Sequence, residues 1–309
     1  VSLRAIRLVT FLAELNALDL WGTDIGNAYL ESYTKEKVCI TAGDEFGERK
    51  GHLLIIRKAL YGLRSSGARW HDRFHDVLRE MGWTPCKMEP DVWMKRVDDH
   101  YEYIATYVDD LMIASKNPKA ITDELMDRFH FKLKGTGPLT FHLGCDYFRD
   151  EDGTLCVSPK SYIERFLSSF KRLFGHDPNR RYRSPLEPND HPEIDTSEEL
   201  DMENTVIYQS LIGGFQWAVS LGRIDMAVSV GTMSSFRAAP RQGHLNRLKR
   251  MCGYLFAKKS AAIRIRTEKP DYSSISVPTF DWERIYGDVK EIIPDDIPEP
   301  LGKSVVTTM

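Results

Sequence analysis

Apolar positions recur at helical spacing in residues 2 to 16, where Leu3, Ile6, Leu8, Phe11, Leu12 and Leu15 form one stripe. LDLWGTDIGNAYL then reads as a strand that leads into a turn or helix start, KVCITA as a strand, EFGERKG as a polar loop, and HLLIIRKALYGL as a strand running into a glycine turn. ARWHDRFHDVLREMGW places Trp70, Phe74, Val77, Leu78 and Met81 on one face and stops at Gly82, which predicts an amphipathic helix. DVWMKRVDDHYEYIATYVDDLMIAS predicts two hairpins, turned by Val97-Asp98-Asp99-His100 and by Val108-Asp109-Asp110. NPKAITDELMDRFH predicts a helix capped by Asn117 with Pro118 in its first turn. PLTFHLGCDYFRDEDGTLCVSP predicts a hairpin around Asp152-Gly153, after which Ser158 and Pro159 cap a helix over KSYIERFLSSFKRLF. From Val206 to about Lys258 the pattern is helical in two or three pieces, broken near Gly222 and Pro240. Beyond Thr267, prolines and scattered acids predict irregular structure.

The first half is therefore α+β and the second mainly helical, with an acidic stretch between them. Glu187 to Asn204 carries eight acidic residues and no Lys or Arg, and reads as a solvated linker. From Thr205 to Ser260 the balance reverses: Arg223, Arg237, Arg241, Arg247, Lys249, Arg250, Lys258 and Lys259 face a lone Asp225. Charge alone leaves two readings of that segment open, a solvated helix face or a surface that tracks phosphates. The chain has 309 residues, 42% of them hydrophobic and 28% charged, which is an ordinary globular composition for two or three units. Its apolar runs fall short of the roughly 18 residues a membrane span needs, so no membrane is expected. Cys39, Cys86, Cys145, Cys156 and Cys252 lack the close pairs or His partners of a disulfide framework or zinc knuckle, which points to reduced thiols and an intracellular setting. Both ends read as cut from something longer.

ATYVDDLMIAS sets Asp109 and Asp110 inside a run that otherwise reads as buried strand, where an unpaired carboxylate costs several kcal/mol or is forced to protonate. Neighbouring residues of a strand point to opposite faces, so only a turn lets both carboxylates approach one site. Cations would offset their repulsion, and Mg²⁺ accepts a few carboxylates together with substrate phosphates. Asp24 in WGTDIGNAYL, also at the end of an apolar strand, supplies a third carboxylate. Three such groups on two neighbouring strands could hold two ions about 4 Å apart for phosphoryl transfer. The plainer reading is an acidic hairpin turn, since Asp is common in turns.

Tyr107-Val108-Asp109-Asp110 between apolar strands resembles the catalytic signature of reverse transcriptases, and the surrounding blocks are similar to the copia-type branch of LTR retrotransposons. DIGNAYLES resembles the first palm motif, KALYGLRSSGARWHDRF the block that meets template and nucleotide, and FHLGCDY the primer-grip region. YQSLIGGFQWAVSLGRIDMAVSVGTMSSF and HLNRLKRMCGYLFAKK resemble the segment that follows the palm. The blocks run in order over roughly residues 3 to 260.

The resemblance implies a palm with partial fingers over residues 1–150, a mainly helical thumb and connection over 151–266, and an irregular tail over 267–309 leading toward an RNase H domain. It implies that Asp24, Asp109 and Asp110 bind two Mg²⁺ ions, with Mn²⁺ as a substitute, for transfer of dNTPs to a primer 3′-hydroxyl with release of pyrophosphate. Ile25, Gly26, Asn27 and Ala28 would offer backbone N–H groups to the triphosphate, and Tyr29 stands where the family has its aromatic sugar gate. Lys58 and Arg64 are candidate phosphate contacts. Arg241, Arg247, Lys249 and Arg250 become candidates for duplex contact, where shape and phosphates are read instead of bases. Implied partners are an RNA template, a DNA or tRNA primer, dNTPs, and the protease, integrase and RNase H domains of a Pol polyprotein, in a cytoplasmic virus-like particle or the nucleus.

Two blocks depart from the family pattern. Arg64-Ser65-Ser66-Gly67 stands where Lys-Gln-Ser-Pro is usual, and Arg223-Ile224-Asp225 where Arg-Pro-Asp is usual. The basic fingers segment and an RNase H carboxylate set are also expected outside these residues. The rival expectation is an inactive or domesticated element fragment that binds nucleic acid without polymerising. A metal nuclease is a weaker third, because it leaves the downstream helices unexplained.

Overall fold

The computed structural model describes residues 1–178 and 182–268, together with Asp281, Arg284, Ile285 and Gly287. The expected irregular tail thus lies almost wholly outside the described residues. In chain order the elements are α1 (Leu3–Leu15), β1 (Asp19–Ile25), β2 (Cys39–Thr41), β3 (Leu53–Ile55), α2 (Ser66–Glu80), β4 (Thr84–Pro85), β5 (Val92–Val97), β6 (His100–Tyr107) and β7 (Asp110–Ser115). Then come α3 (Pro118–Asp127), β8 (Leu133–Pro138), β9 (Phe141–His142), β10 (Cys145–Arg149), β11 (Leu155–Ser158), α4 (Lys160–Phe174), α5 (Met202–Ser220), α6 (Ala227–Ser234), α7 (Gln242–Ala257) and β12 (Ile263–Ile265). The fold is mixed α and β, as the pattern predicts.

A six-stranded antiparallel sheet, ordered β4-β5-β6-β7-β1-β8, carries the first half. Its central strands β6 and β7 are buried on both faces, which is why they read as continuous apolar runs. Alternation divides them: Trp93, Ile104, Leu111 and Ile113 pack with Trp70, Phe74 and Leu78 of α2 and Leu125 of α3. Val92, Tyr103, Ala105, Met112 and Ala114 pack with Ile6 and Val9 of α1. The buried face of α1 is rotated from the one its sequence suggests, because Val9 and Ala13 are buried while Leu8 is exposed. α2 ends as expected at Gly82, whose φ of +83° suits glycine at a helix C-terminus. Asn117 caps α3, its side chain accepting from the Ala120 N–H at 3.2 Å.

The second sheet, ordered β12-β11-β10-β9, contains the hairpin expected around Asp152-Gly153. β8, β9 and β12 have no clear period in the sequence and were found only through their pairing. Capping of α4 differs from expectation. Ser158 Oγ donates instead to the Ala261 carbonyl at 2.8 Å, and Asp146 on β10 accepts from the Ser161 N–H (2.8 Å) and hydroxyl (2.6 Å). A tertiary contact has replaced the local cap.

Helices α4 to α7 form their own core around Tyr208, Phe215, Met233 and Leu248. The acidic stretch is not a solvated linker. It is pinned to α7: Arg247 reaches Asp190 at 2.7 Å and also Asp195, Arg250 pairs with Glu187, and Arg241 pairs with Glu199 at 3.0 Å. Within it Asp201 caps α5, accepting from the Asn204 N–H at 2.8 Å. Composition could not show this, because the partners lie some 40 to 60 residues away in sequence. Among the described residues no helix is long and apolar enough to cross a membrane. All five cysteines are free thiols.

Candidate active site

The end of β1 meets the tip of the β6–β7 hairpin. Tyr107 pairs with Asp110, leaving Val108 and Asp109 as the two-residue turn. Val108 has φ of +58°, a conformation a β-branched residue adopts only when its surroundings hold it. Two contacts do so: the Trp70 indole N–H donates to the Val108 carbonyl at 2.7 Å, and the Ile25 N–H donates to the Asp109 carbonyl at 2.9 Å.

Asp24 and Asp110 are direct partners across β1 and β7, so their side chains share one face of the sheet. Asp109 joins them from the turn, and all three are half-buried. Burial first, and then the charges of Asp109 and Asp24, push the Asp110 carboxyl above its ordinary range. On the other side of β1, Asp24 pairs with Lys134 of β8. The Lys134 ammonium lies over Gly26, 3.4 Å from where a Cβ would stand, and has no ion-pair partner among the described residues. Asp24 is thus flanked in the sheet by a carboxylate and a cation.

The N–H groups expected at residues 25 to 28 divide into two kinds. Ile25 is bonded to Asp109 and Gly26 to the Lys132 carbonyl at 2.8 Å, so both donors are already engaged. Asn27, at φ of +57°, turns the chain into a short 3₁₀ helix from Ala28 to Glu31, whose first N–H groups have no intrahelical partner. Only Asn27 and Ala28 remain from the expected set. Tyr29 packs against Tyr61, the ring centroids 4.6 Å apart and the planes tilted by 41°. Burial and the nearby charges of Asp109, Tyr29 and Asp24 raise the Tyr61 hydroxyl above its usual range, which sets the tyrosine pair beside the carboxylates. Tyr61 and Lys134 went unrecognised in the sequence. An exposed aromatic before Gly62 was a faint signal for the first, and nothing in the KLKGTG pattern marked the second.

The expected basic contacts fare unevenly. Arg64 is exposed, without an ion-pair partner among the described residues. Lys58 lies over the Tyr33 ring at 4.1 Å, and Lys249 over Phe174 at 4.5 Å. Arg241, Arg247 and Arg250 are engaged by the acidic stretch, so their charges already have partners within the chain.

Residues 1–177 match the family described as reverse transcriptase (RNA-dependent DNA polymerase). The chain belongs to this family. Within it the relatives are of the copia type anticipated from the sequence blocks. The chain is similar to a putative transposon Ty5-1 protein of Saccharomyces cerevisiae, 24% identical over 253 residues that cover 79% of this chain and 78% of that one. It is also similar to the retrovirus-related Pol polyproteins from transposon TNT 1-94 of Nicotiana tabacum (26% identical over 260 residues, 82% of this chain) and from transposon RE1 of Arabidopsis thaliana (24% over 256 residues, 81%). It spans only 20% and 17% of those two polyproteins. The chain is thus a reverse transcriptase domain of the retrotransposon Pol type, and Asp24, Asp109 and Asp110 are its candidate site residues.

Proposed function

We propose that this domain is an RNA-directed DNA polymerase that adds dNTPs to a primer 3′-hydroxyl on an RNA template. The observation that supports this most is the opposition of Asp24 and Asp110 across β1 and β7, with Asp109 held beside them by a strained turn. Nothing in a purely structural role calls for three half-buried carboxylates, two of which raise the proton affinity of the third.

The donor set fits hard divalent cations. It is all carboxylate oxygen, as Mg²⁺ and Mn²⁺ favour, and its mutual repulsion is what bound cations offset. The three carboxylates do not bring oxygens within 4.8 Å of one another, in keeping with their like charge. Asp24, Asp109 and Asp110 would hold two Mg²⁺ ions, which supply Lewis-acid stabilisation of the reacting oxygens. The chain's own groups do the rest. Asn27 and Ala28 present N–H donors and Lys134 a cation to the triphosphate, and the Tyr29–Tyr61 pair offers a face for the sugar. The six-stranded sheet with its helices corresponds in this reading to the palm with partial fingers (1–150), and α4 to α7 to thumb and connection (151–266). RNA template, DNA or tRNA primer, and the protease, integrase and RNase H portions of a Pol polyprotein are the partners, inside a cytoplasmic virus-like particle or the nucleus.

Arg64-Ser65-Ser66-Gly67 supports a second reading, a fragment that binds nucleic acid without polymerising. Primer extension on an RNA template, by this chain joined to the residues that flank it in its reading frame, separates the two. Extension lost on Asp109→Asn with Asp110→Asn supports the polymerase. Extension that survives both substitutions sinks the carboxylate assignment, and template binding with no extension supports the second reading.

A further inference from the structure

Beside the β6–β7 hairpin, α2 and the residue that precedes β5 bring together a different set of ligands. His71 and His75 are four residues apart and therefore share a face of α2. Their ring centroids lie 3.6 Å apart, and both Nε2 atoms lie near one oxygen: Oδ1 of Asp91 is 3.0 Å from His71, within hydrogen-bond reach, and 3.4 Å from His75. Among the described residues this is the only group of three His, Cys or carboxylate ligands whose atoms all fall within 4.8 Å of one another.

We infer that His71 Nε2, His75 Nε2 and Asp91 Oδ1 form a binding site for a divalent transition-metal cation of the zinc class, distinct from the Asp24, Asp109 and Asp110 site. Two imidazoles and one carboxylate, with a fourth position open, are a borderline-soft donor set that prefers Zn²⁺ over Mg²⁺. The spacing suits the ion: bonds of about 2.0–2.2 Å in a tetrahedron put ligand atoms about 3.4 Å apart. The decisive feature is His75. Its side chain is about nine-tenths buried, and its Nε2 makes no hydrogen bond, the contact with Asp91 being misaligned for one. A buried ring nitrogen left unpaired carries a desolvation cost that a bound cation removes. Burial and the neighbouring His71 also lower the His75 proton affinity, which keeps the ring in its ligating form.

The site faces a cavity of about 260 Å³, lined also by Tyr29, Trp70 and Val108, so an ion has room to enter. Occupancy would tie α2 to the sheet, since the Asp91 carbonyl accepts from the Thr106 N–H at 2.9 Å and, more weakly, from its hydroxyl at 3.3 Å. Trp70, which holds the turn, immediately precedes His71.

The test is titration of the chelator-treated full chain with Zn²⁺ by calorimetry and with Co²⁺ by visible absorption, for the wild type, His71→Ala, Asp91→Asn, and the double variant Asp109→Asn with Asp110→Asn. His71 is half exposed, so its loss spares the fold, which circular dichroism without metal verifies. The expected result is one Zn²⁺ per chain at this site. Its affinity falls at least tenfold in His71→Ala and in Asp91→Asn and is unchanged in the double variant. The Co²⁺ spectrum should have the intense bands of low coordination. Equal Zn²⁺ affinity in wild type and His71→Ala, or binding lost only in the double variant, would overturn the site.

Discussion

The indole of Trp70 and the carbonyl of Val108, on a helix and a hairpin turn 38 residues apart, are joined by a 2.7 Å hydrogen bond. This bond is one of the two that hold a β-branched residue at φ of +58° and so aim Asp109. Trp70→Phe keeps the stacking with Phe74 but leaves the carbonyl without its donor. The expected cost is about 2 kcal/mol in stability, together with a larger loss in primer extension than in template binding. A variant whose melting point and extension rate both match wild type would show that the turn does not need this contact.

Asp110 faces Asp24 across two strands with its proton affinity raised. Its folded-state pKa lies above the unfolded value, so the ionised group destabilises the fold once pH rises past the unfolded pKa of about 4. Asp110→Asn should therefore raise the melting temperature at pH 7, by an amount that solvent screening of the half-exposed group keeps small, while abolishing extension. Below pH 4 the difference should vanish. A variant less stable than wild type at pH 7 would mean that Asp110 is a structural acceptor and not a strained ligand.

Arg247 should behave as a structural cation. Its partners Asp190 and Asp195 are nearly buried, so Arg247→Ala strands two carboxylates and should cost about 3 kcal/mol. Hydrogen bonds from Ser197, and then from Arg247, hold the Asp195 carboxyl down to about 2. Because its folded value is depressed, the stabilisation is present above about pH 4 and disappears as pH falls toward 2. Denaturant midpoints of wild type and Asp195→Asn should differ at pH 6 and converge toward pH 2. If Arg247→Ala instead leaves stability intact and reduces the salt dependence of nucleic-acid binding, the arginine serves the ligand and not the fold.

Lys134 is the opposite case, an exposed cation paired with Asp24 across β8 and β1 and without an ion-pair partner among the described residues. Lys134→Ala should change stability by less than about 0.5 kcal/mol and raise the KM for dNTPs several-fold. An unchanged KM would remove it from the triphosphate site.

Period and turn chemistry made much of this legible. The stripe from Trp70 to Met81, the Asn117-Pro118 helix start and the two hairpins all stand where the pattern puts them, because each is decided by neighbours a few residues apart. The three aspartates were visible as charges in the wrong place. What escaped depends on distant partners. β8 and β12 exist through pairing, Ser158 gives up its capping role because Asp146 takes it, and the acidic stretch finds arginines on α7. His71 and His75 did carry a local signal, a four-residue spacing on a helix, but their third ligand belongs to a different element.

Strand β12 returns from the end of the helical region to pair with β11, Leu155 opposite Ile265, and Leu221 lies against Gly144 and Cys145. The stretch that matches the family stops at residue 177. A polypeptide cut there would have a bare β11 edge and an open apolar hole, both invitations to aggregate. The unit that folds is larger than the stretch that matches the family, and fragments for expression should be drawn to the hydrogen bonds of β12 rather than to the end of that match.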